Sequence, residues 1–478
     1  MPVTTKKRIM IEPVSRIEGH AKVTINLDDN GAVSSTEFSV TQVRGFEKFT
    51  EGRPFYEMPG ITSRICGICP ISHQLASAKA CDAIMAVRIP PAAAMLREAI
   101  HCGQLVQSHA LSFFHLSAPD LLLGMDSDPA ARNVLGLAEK HPDIARDGIA
   151  LRKFGQRVIE RLAGERIHPA GIVPGGVAAP LDPAAREAIL KELPEARAIA
   201  WRTLDLFKCI LDGFAGEIET FGKMPTMYAG LVSPTGDLRL YDGRIRFKAA
   251  NGAVAAEIDP AQYADWIGEA SVPESYLKAP YYKPLGYPAG IYRVGPLARL
   301  NVCDRFGTPA ADTELNEFRE RFGPVVESSF HFHYARLIEV IHCLERLQTL
   351  LDSPAILHRH VRARAEVNAL EGIGVAEAPR GILIHHYKVD EHGAMVWANL
   401  IIATGHNNLA ISRSIEQVSK YFVKADHLEE GMLNRVSAVV RAYDPCLSCS
   451  THAAGVPPLR IELVGPAGEK LDEVATGS

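Results

Sequence analysis

Long apolar runs are absent from this chain, although 47% of its 478 residues are hydrophobic. A membrane-spanning helix needs about 18 or more consecutive apolar residues. No stretch reaches that length, and the first residues do not contain the apolar core of a secretory signal. We therefore expect a soluble chain without a membrane span.

A strong charge of either sign and internal repeats are also missing. The net charge is −5, and acidic and basic residues are interspersed along the chain. Binding to nucleic acid or to an anionic membrane surface would require a basic patch or tail. The length and composition instead predict an ordinary globular protein with a sizeable core and no nucleic-acid partner.

A glycine-rich dinucleotide fingerprint is not present, so we expect this chain to bind no NAD itself. Its nine cysteines are an odd number, which makes a disulfide framework improbable in a chain of this length. Five of them stand singly and are interpreted as buried, reduced thiols: Cys81, Cys102, Cys209, Cys303 and Cys343. Reduced thiols favour a reducing compartment, and we expect a cytoplasmic location.

The other four cysteines form two Cys-x-x-Cys pairs at opposite ends of the chain, Cys66 with Cys69 and Cys446 with Cys449. Two chelating thiolate pairs are typical of a site for a soft metal. Structural zinc sites usually join pairs about 15–20 residues apart, and a thioredoxin-like redox site needs only one pair. The spacing favours one shared metal site, with separate zinc or redox roles as the alternatives.

The pattern of the remaining sequence predicts an α+β chain, a mainly helical core with peripheral antiparallel hairpins. Turn residues at 28–31 predict antiparallel strands over 8–43, and Pro90-Pro91 opens a helix to about Ser117. The other expected elements are a helical region over 183–221 interrupted at Pro194, irregular chain over 273–296, a helix over 312–351 kinked near Gly323-Pro324, a hairpin over 381–403 turning near His392-Gly393, and helices over 408–423 and 427–442.

We divide the chain into five regions. They are an N-terminal β region (1–60), the first metal motif with a helical core (61–222), a β-rich and irregular insertion (223–311), a second helical core with a hairpin and the second metal motif (312–452), and a C-terminal extension (453–478).

The residues around the cysteine pairs carry a resemblance to a known family. The pairs stand in Arg-Ile-Cys-Gly-Ile-Cys-Pro-Ile-Ser-His (64–73) and Asp-Pro-Cys-Leu-Ser-Cys-Ser-Thr-His (444–452). Further motifs are Arg-Ile-Glu-Gly-His (16–20), Arg-Gly-Phe-Glu (44–47) and Ala-Pro-Arg-Gly (378–381). In this order, over residues 8 to 452, the chain resembles the large subunit of nickel–iron hydrogenases. It is most similar to the cytoplasmic, NAD-linked group.

The resemblance implies a nickel–iron centre that cleaves and forms H2. All four thiolates would bind nickel. Cys69 and Cys449 would also bridge to an iron that carries carbon monoxide and cyanide, and Cys66 and Cys446 would be terminal ligands. Cys446 would take the first proton and Glu18 the next. Without the resemblance, Glu18 would be interpreted as a salt-bridge partner of Arg16 or of a lysine.

The resemblance also assigns residues around the centre. Arg380, with Pro379 beside it, would lie over the open metal position, held by Asp120 and Asp444. His73 would donate a hydrogen bond to a bridging cysteine. Thr404 would hydrogen-bond a cyanide, although Ala403 replaces the proline that relatives have there. Glu47 and His452 would bind a second, hard cation, Mg²⁺. The histidine pairs His101/His109, His331/His333 and His385/His386 are interpreted as core or surface residues.

Relatives lose a C-terminal extension after their metals are inserted. Here the chain continues from Ala453 to Ser478, with a strand expected over 459–464 and a turn at 465–468. The resemblance implies a specific endopeptidase that cuts between His452 and Ala453, together with nickel-insertion factors.

Electrons must leave through other chains, because this one has no further cluster-binding cysteines. We expect a small subunit with iron–sulfur clusters, and flavin and iron–sulfur diaphorase subunits that pass electrons to NAD⁺. Two alternatives stay open: a metal-free scaffold like the quinone-module subunit of respiratory complex I, and a zinc-stabilised binding protein.

Overall fold

The computed structural model describes residues 8–272, 275–424, 427–451, 460–464 and 470–475. Helices form its centre and small, mostly antiparallel sheets lie around them, which confirms the predicted α+β class. Among the described helices, none is both long enough and apolar enough to cross a membrane.

The helices are α1 (Phe46–Phe49), α2 (Met58–Ser63), α3 (Pro70–Ile84), α4 (Pro91–Ala110), α5 (Ala118–Leu123), α6 (Val134–Lys140), α7 (Pro142–Ala163), α8 (Pro183–Ile210), α9 (Ala215–Thr220), α10 (Tyr263–Trp266), α11 (Pro296–Val302), α12 (Pro309–Phe322), α13 (Phe332–Asp352), α14 (Ala403–His406), α15 (Asn408–Phe422), α16 (Glu430–Tyr443) and α17 (Leu447–Ser450).

The strands are β1 (Arg8–Ile11), β2 (Lys22–Leu27), β3 (Val33–Ser39), β4 (Ile172–Val173), β5 (Gly176–Val177), β6 (Met227–Val232), β7 (Arg244–Lys248), β8 (Val254–Ile258), β9 (Ile267–Val272), β10 (Ser275–Tyr282), β11 (Tyr292–Arg293), β12 (Glu371–Ala378), β13 (Gly381–Val389), β14 (Met395–Ile401), β15 (Arg460–Val464) and β16 (Lys470–Ala475).

Four long helices build the main core. α4 packs against α7 and α13, and α13 also packs against α8. Apolar side chains such as Leu105, Val158 and Leu347 are fully buried between them. Each buried side chain of this kind contributes about 1.5–3 kcal/mol. α4 begins at the predicted prolines and continues through a π-helical segment, Leu111–Ser117, into α5.

Two predictions about helices are wrong. Pro194 lies inside the continuous helix α8 rather than interrupting it. A proline inside a helix costs about 3 kcal/mol, and the burial of Ile189, Leu193 and Ile199 around it offsets that cost. The region 312–351 is not one kinked helix. α12 ends at Phe322, because the next residue, Gly323, has a φ of +93°, a left-handed conformation that glycine tolerates, and α13 starts at Phe332.

The predicted strands at the two ends of the chain are confirmed where the structure describes them. β1, β2 and β3 form an antiparallel sheet over the expected residues, and the described part of the predicted tail strand is β15, paired with β16. The expected tail turn at 465–468 lies outside the described residues. The region 273–296 is not wholly irregular, since β10 pairs with β9. Its tyrosines favour a pleated, half-buried strand.

The sheet of β12, β13 and β14 is the one that shapes the site. Ala378 pairs with Gly381, so Pro379 and Arg380 form a two-residue turn between β12 and β13. β14 then pairs with β13, which confirms the predicted hairpin. β12 lies directly on the backbone of α3. The contact is so close that a side chain at Gly372 or Gly374 would collide with carbonyl oxygens of that helix. Glycine is unusual in a strand, and for this reason the sequence pattern did not reveal β12.

Candidate metal centre

The first cysteine pair lies at the N-terminus of α3. Cys69 is the residue that precedes the helix, and the sulfur of Cys66 accepts hydrogen bonds of 3.3 Å from the backbone N–H groups of Ile68 and Cys69. A hydrogen bond with the Cys69 thiol, the charge of Arg380 and these N–H groups outweigh burial and lower the pKa of Cys66 to about 7. Helix N-termini favour thiolates in this way.

The second pair is held by segments from elsewhere in the chain. Glu18 pairs with Cys446 in a short parallel bridge, and Leu447 N–H donates to Glu18 O at 3.1 Å. Cys446 N–H donates to the hydroxyl oxygen of Thr404 at 2.9 Å. Gly19, with φ of +87°, allows the close approach, because a Cβ there would lie 2.9 Å from Leu447 Cβ and Ser448 N.

The fold brings both pairs together. The four sulfur atoms lie within 4.8 Å of one another and all four residues are buried. The sulfur atoms of Cys66 and Cys446 are 3.4 Å apart, and those of Cys446 and Cys449 are joined as a disulfide. With that bond reduced, the site offers four soft thiolate donors, a set that suits nickel, iron or zinc. Among the other cysteines, Cys209 is exposed, contrary to expectation.

Arg380 projects from the turn between β12 and β13 toward this site. Its Nε donates to Asp444 O, and its Nη2 donates to Asp444 Oδ1 at 3.0 Å. Burial lowers the pKa of Arg380, but the Asp444 carboxylate and the thiolates of Cys69 and Cys66 raise it further, so that the net change is upward. Arg380 Nη1 has no hydrogen-bond partner among the described residues, although it is buried. A permanent cation therefore lies beside the sulfur atoms.

Asp120 does not have the predicted role of holding Arg380. Its carboxylate contacts three other guanidinium groups, those of Arg16 at 2.5 Å, Arg132 at 3.5 Å and Arg441 at 3.0 Å. Asn434 also donates to it, at 3.1 Å. These contacts tie the N-terminal segment to α16. The motif could not reveal this arrangement, because the arginines come from three separate parts of the chain.

Glu18 is not the salt-bridge partner of Arg16 that its neighbours in the sequence would suggest. Arg16 pairs with Asp120 and donates to Leu116 O. The carboxylate of Glu18 instead accepts hydrogen bonds from the hydroxyl and the backbone N–H of Ser448, the latter at 3.2 Å. It is half-buried. A hydrogen bond with Cys66 and burial raise the pKa of Cys69, and the charge of Glu18 raises it further. This carboxylate therefore lies beside the second cysteine pair, at Ser448.

His73 lies one helical turn after Cys69, on the same face of α3, and is fully buried. Its Nδ1 is 3.2 Å from Nε2 of His385, whose Nδ1 is 2.6 Å from the hydroxyl of Tyr387. Nε2 of His73 has no partner among the described residues. Burial and the nearby charge of Arg44 lower the pKa of His73 to about 3, which keeps the imidazole neutral.

His385 is a buried core residue, and its contact with His73 was not predicted from the sequence. The pair His385/His386 lies on strand β13, where consecutive side chains point to opposite faces. His385 reaches His73, whereas His386 contacts Tyr263 at 2.8 Å and Glu371 at 2.6 Å on the other face. The alternation of the predicted strand was a usable signal, but the partner of the inward histidine could not be known without the fold.

The remaining predicted residues are placed as follows. Pro379 is buried beside Arg380, and Thr404 is buried in α14 with its hydroxyl on Cys446 N–H. Glu47 is half-buried in α1. Burial raises the pKa of Tyr387, and nearby negative charges that include Glu47 raise it further. His452 and Ala453 lie outside the described residues, so the predicted cation site and cleavage site stay predictions.

Comparison with known families gives two matches. A family described as "Nickel-dependent hydrogenase" matches residues 44–136 and 248–452. A family described as "HoxL-like" matches residues 8–43. Together they cover both cysteine pairs and the segment that contains Glu18.

Individual relatives extend over most of the chain. A vhu-type F420-non-reducing hydrogenase chain of Methanocaldococcus jannaschii is 45% identical over 417 residues, 87% of this chain and 100% of the relative. The beta chain of the NAD-reducing hydrogenase HoxS of Cupriavidus necator is 39% identical over 485 residues, covering 98% of this chain and 99% of the relative.

Solved hydrogenase structures have a fold similar to that of this chain. The crystal structure of an NAD⁺-reducing [NiFe]-hydrogenase in the H2-reduced state has a TM-score of 0.91 and 45% identity over 93% of this chain and 99% of that one. The nickel–iron–selenium hydrogenase of Desulfovibrio vulgaris Hildenborough has a TM-score of 0.77 at 23% identity, over 94% of this chain and 100% of that one, a likeness that concerns the fold alone.

Proposed function

This chain belongs to the nickel-dependent hydrogenase family, and from that premise we propose that it is the catalytic large subunit of a nickel–iron hydrogenase that interconverts H2 with protons and electrons. The observation that carries the proposal is the convergence of four buried sulfur atoms from opposite ends of the chain within 4.8 Å. A scaffold without a metal would have no need for this set.

The residues present fit a nickel–iron centre. Four thiolates suit a soft, redox-active metal, and polar atoms of three neighbours are buried without a described partner, namely Arg380 Nη1, His73 Nε2 and Asp444 Oδ2. Cys66, Cys69, Cys446 and Cys449 would hold nickel, and Cys69 and Cys449 would also hold iron. When bound, such a centre supplies the cleavage of H2 into two protons and two electrons.

The chain itself supplies the route by which protons leave. Cys446 is the proposed first acceptor, and Glu18 lies beside it through the short parallel bridge. Because Ser448 donates two hydrogen bonds to the Glu18 carboxylate, this carboxylate has a fixed orientation. A positioned carboxylate that accepts and releases protons contributes about 10²–10⁴-fold to a rate.

Arg380 and Thr404 orient groups around the centre. Arg380 offers the Nη1 donor, which has no partner in the part of the chain that the structure describes, and a permanent positive charge, which favours negative charge that develops nearby. Thr404 accepts from Cys446 N–H and so keeps its own proton available as a donor. The Thr404 hydroxyl would donate this hydrogen bond to a cyanide of the iron, which would carry carbon monoxide and cyanide.

A second cation is part of the proposal. Glu47 and His452 would bind Mg²⁺, a hard cation that prefers oxygen ligands and water. The likeness of the motif to relatives supports this assignment. Loss of Mg²⁺ from the purified protein after Glu47→Gln, measured by elemental analysis with nickel as the internal reference, would support it, and unchanged Mg²⁺ content would reject it.

Electrons would pass to a small subunit with iron–sulfur clusters, then through flavin and iron–sulfur diaphorase subunits to NAD⁺. Similarity to the NAD-reducing relatives supports this acceptor. A cytoplasmic location goes with it, because that is where NAD⁺ is reduced and where single thiols such as the buried Cys81 and Cys303 stay reduced.

Maturation would require nickel-insertion factors and an endopeptidase that cuts between His452 and Ala453. The mass of the active protein tests this directly. A mass that ends at His452 supports the cleavage, and an active protein that still ends at Ser478 rejects it.

One experiment separates the candidate functions. Elemental analysis and infrared spectroscopy of the purified protein should find nickel with iron, and stretching bands of carbon monoxide and cyanide. Zinc alone would indicate a zinc-stabilised binding protein. Absence of any metal from a freshly matured complex would indicate a scaffold like that of complex I.

A further inference from the structure

A second buried arginine contacts the turn that carries Arg380. Arg299, on α11, donates from Nη1 to Ala378 O at 3.0 Å and from Nη2 to Pro379 O at 3.1 Å. These are the two carbonyl groups immediately before Arg380. A guanidinium presents its donors in a rigid, planar fork. Arg299 therefore holds two successive peptide groups of the turn in one orientation.

Arg299 is itself fixed by two carboxylates. Glu339 on α13 accepts from Nε at 2.6 Å and from Nη2 at 2.7 Å, and Glu377 on β12 accepts from Nη1 at 2.7 Å. All three side chains are fully buried. Glu377 also accepts from Leu231 N–H at 2.9 Å, and Glu339 contacts His109 at 2.8 Å. Arg299 thus joins α11, α13 and the end of β12 in a single arrangement.

The opposite side of the turn is closed by backbone. Gly295 has φ of +93°, and a Cβ there would lie 2.7 Å from Arg380 O. Val294, just before it, donates its N–H to Asn407 Oδ1 at 2.9 Å, and Asn407 Nδ2 donates to Val294 O at 3.2 Å. The turn is therefore enclosed between the Arg299 fork and the 294–295 backbone, which leaves its two residues little freedom to move.

The arginines and carboxylates around the turn balance in charge. Arg299 faces two carboxylates, Glu339 and Glu377, while Arg380 faces one, Asp444. Arg336, fully buried on α13, supplies the third positive charge and donates to Ala442 O at 2.6 Å. Burial and the charge of Arg380 outweigh the Asp444 carboxylate and lower the pKa of Arg336 to about 10. Arg336 therefore remains a cation at neutral pH. A charge change at Arg299 would disturb this balance, whereas Arg299→Lys retains it.

We propose that Arg299 is a positioning residue for hydrogen turnover, because it fixes the Pro379–Arg380 turn and thereby the place of the Arg380 guanidinium beside the cysteine site. This inference rests on the proposed function. It extends the active site beyond the four cysteines and their motif neighbours to a cluster that lies behind the turn. Arg299 acts through Arg380 and binds no metal itself.

A double-mutant cycle tests the inference. We compare H2 oxidation by the complete enzyme complex as wild type, Arg299→Lys, Arg380→Lys and the double variant. Small displacements of a positioned group lower rates strongly, so Arg299→Lys should lower kcat about 10-fold when Arg380 is present. In the Arg380→Lys background the same change should alter kcat by less than about 2-fold, since coupled residues are not additive.

Arg97→Lys is the matched control. Arg97 is also fully buried, pairs with Asp82 at 2.6 Å and donates to backbone carbonyl groups of Val173 and Gly176, but its contacts lie away from the turn. It should have equal effects in the Arg380 and Arg380→Lys backgrounds. Equal factors for Arg299→Lys in both backgrounds would overturn the inference.

Two further readouts protect the test. If Arg299→Lys fails to fold, Glu377→Asp, which keeps the charge but withdraws the carboxylate from Arg299, is carried through the same cycle with the same expectations. The infrared bands of the wild type test the proposed function, and their absence would reject it. Wild-type bands that persist unchanged in a folded Arg299→Lys protein would instead overturn only the inference, since a displaced Arg380 must shift them.

Discussion

Cys66 and Cys69 lie just before a helix of 15 residues, whereas Cys446 precedes and Cys449 lies within a helix of 4 residues. The first pair is held by its own neighbours, because the N–H groups of residues 68 and 69 contact Cys66. The second pair is held by Glu18 and Thr404, which come from distant parts of the chain. The sulfur contacts of the first pair are therefore local, although Arg44 and, from α4, Gln104 and Gln107 donate to the carbonyl groups of Ile65 and Ile68. The second pair takes its contacts from distant segments.

We expect the largest effect from Glu18→Gln, which changes a residue that holds the second pair. Glutamine keeps an acceptor for Ser448 but cannot carry a proton at neutral pH. We expect kcat for H2 oxidation to fall about 100-fold or more, with nickel content and infrared bands retained. Glu12→Gln is the control, since Glu12 is exposed and its one ion pair among the described residues is with His20 at 3.6 Å. Full activity of Glu18→Gln would exclude this carboxylate from the proton route.

Gly19→Ala should prevent the second pair from taking its place. The new Cβ meets Leu447 and Ser448 at 2.9 Å, and φ of +87° adds backbone strain. Nickel per protein should fall about 10-fold, because overpacking of this kind costs roughly 1–3 kcal/mol. Gly164→Ala shares the strain, with φ of +98°, but meets nothing within 4 Å. The idea fails if both variants hold nickel equally well.

Thr404→Val should destabilise the second pair to a smaller extent. It removes the acceptor of Cys446 N–H and leaves that group buried without a partner, which costs about 1–3 kcal/mol. We expect a matching loss in the free energy of unfolding, measured with denaturant on the metal-free protein. Thr203→Val, whose hydroxyl only donates to Ile199 O, should lose clearly less. Equal losses would mean that Thr404 does not hold Cys446.

Tyr387→Phe should have the smallest effect, since Tyr387 acts on the first pair only through two histidines. Its hydroxyl supports His385 and, through it, His73. We expect about 1 kcal/mol less stability, unchanged nickel content and a small shift of the infrared bands. Tyr263→Phe removes the similar contact with His386 on the other face of the strand and should leave the bands in place. A loss of nickel as large as that of Gly19→Ala would contradict the comparison.

Local patterns were enough to predict a good part of this molecule. The strands of the N-terminal sheet, the β13–β14 hairpin and helices α15 and α16 all follow from turn residues and apolar periodicity. The predictions failed where packing overrode local preference, as in α8, which continues through Pro194, and in β12, whose glycines fit against α3. The five predicted regions of the chain stay a prediction.

The candidate site divides in the same way. The donor atoms, their pairing as Cys-x-x-Cys and the acids near them were readable from the motifs, because ligand chemistry depends on residue type and short spacing. The contacts of Asp120 with three arginines, of His385 with His73 and of Arg299 with the turn before Arg380 were not. Each of these joins residues that are far apart in the chain.

By itself, the sequence determined which atoms can bind the metals and which family the chain joins, since both are written in short stretches of residues. Only the tertiary structure decided that the two ends meet, that Glu18 lies against Cys446, and that buried charges surround the Arg380 turn. The physical reason is that a hydrogen bond or an ion pair acts over a few ångströms, and such proximity between distant residues exists only after the core has packed.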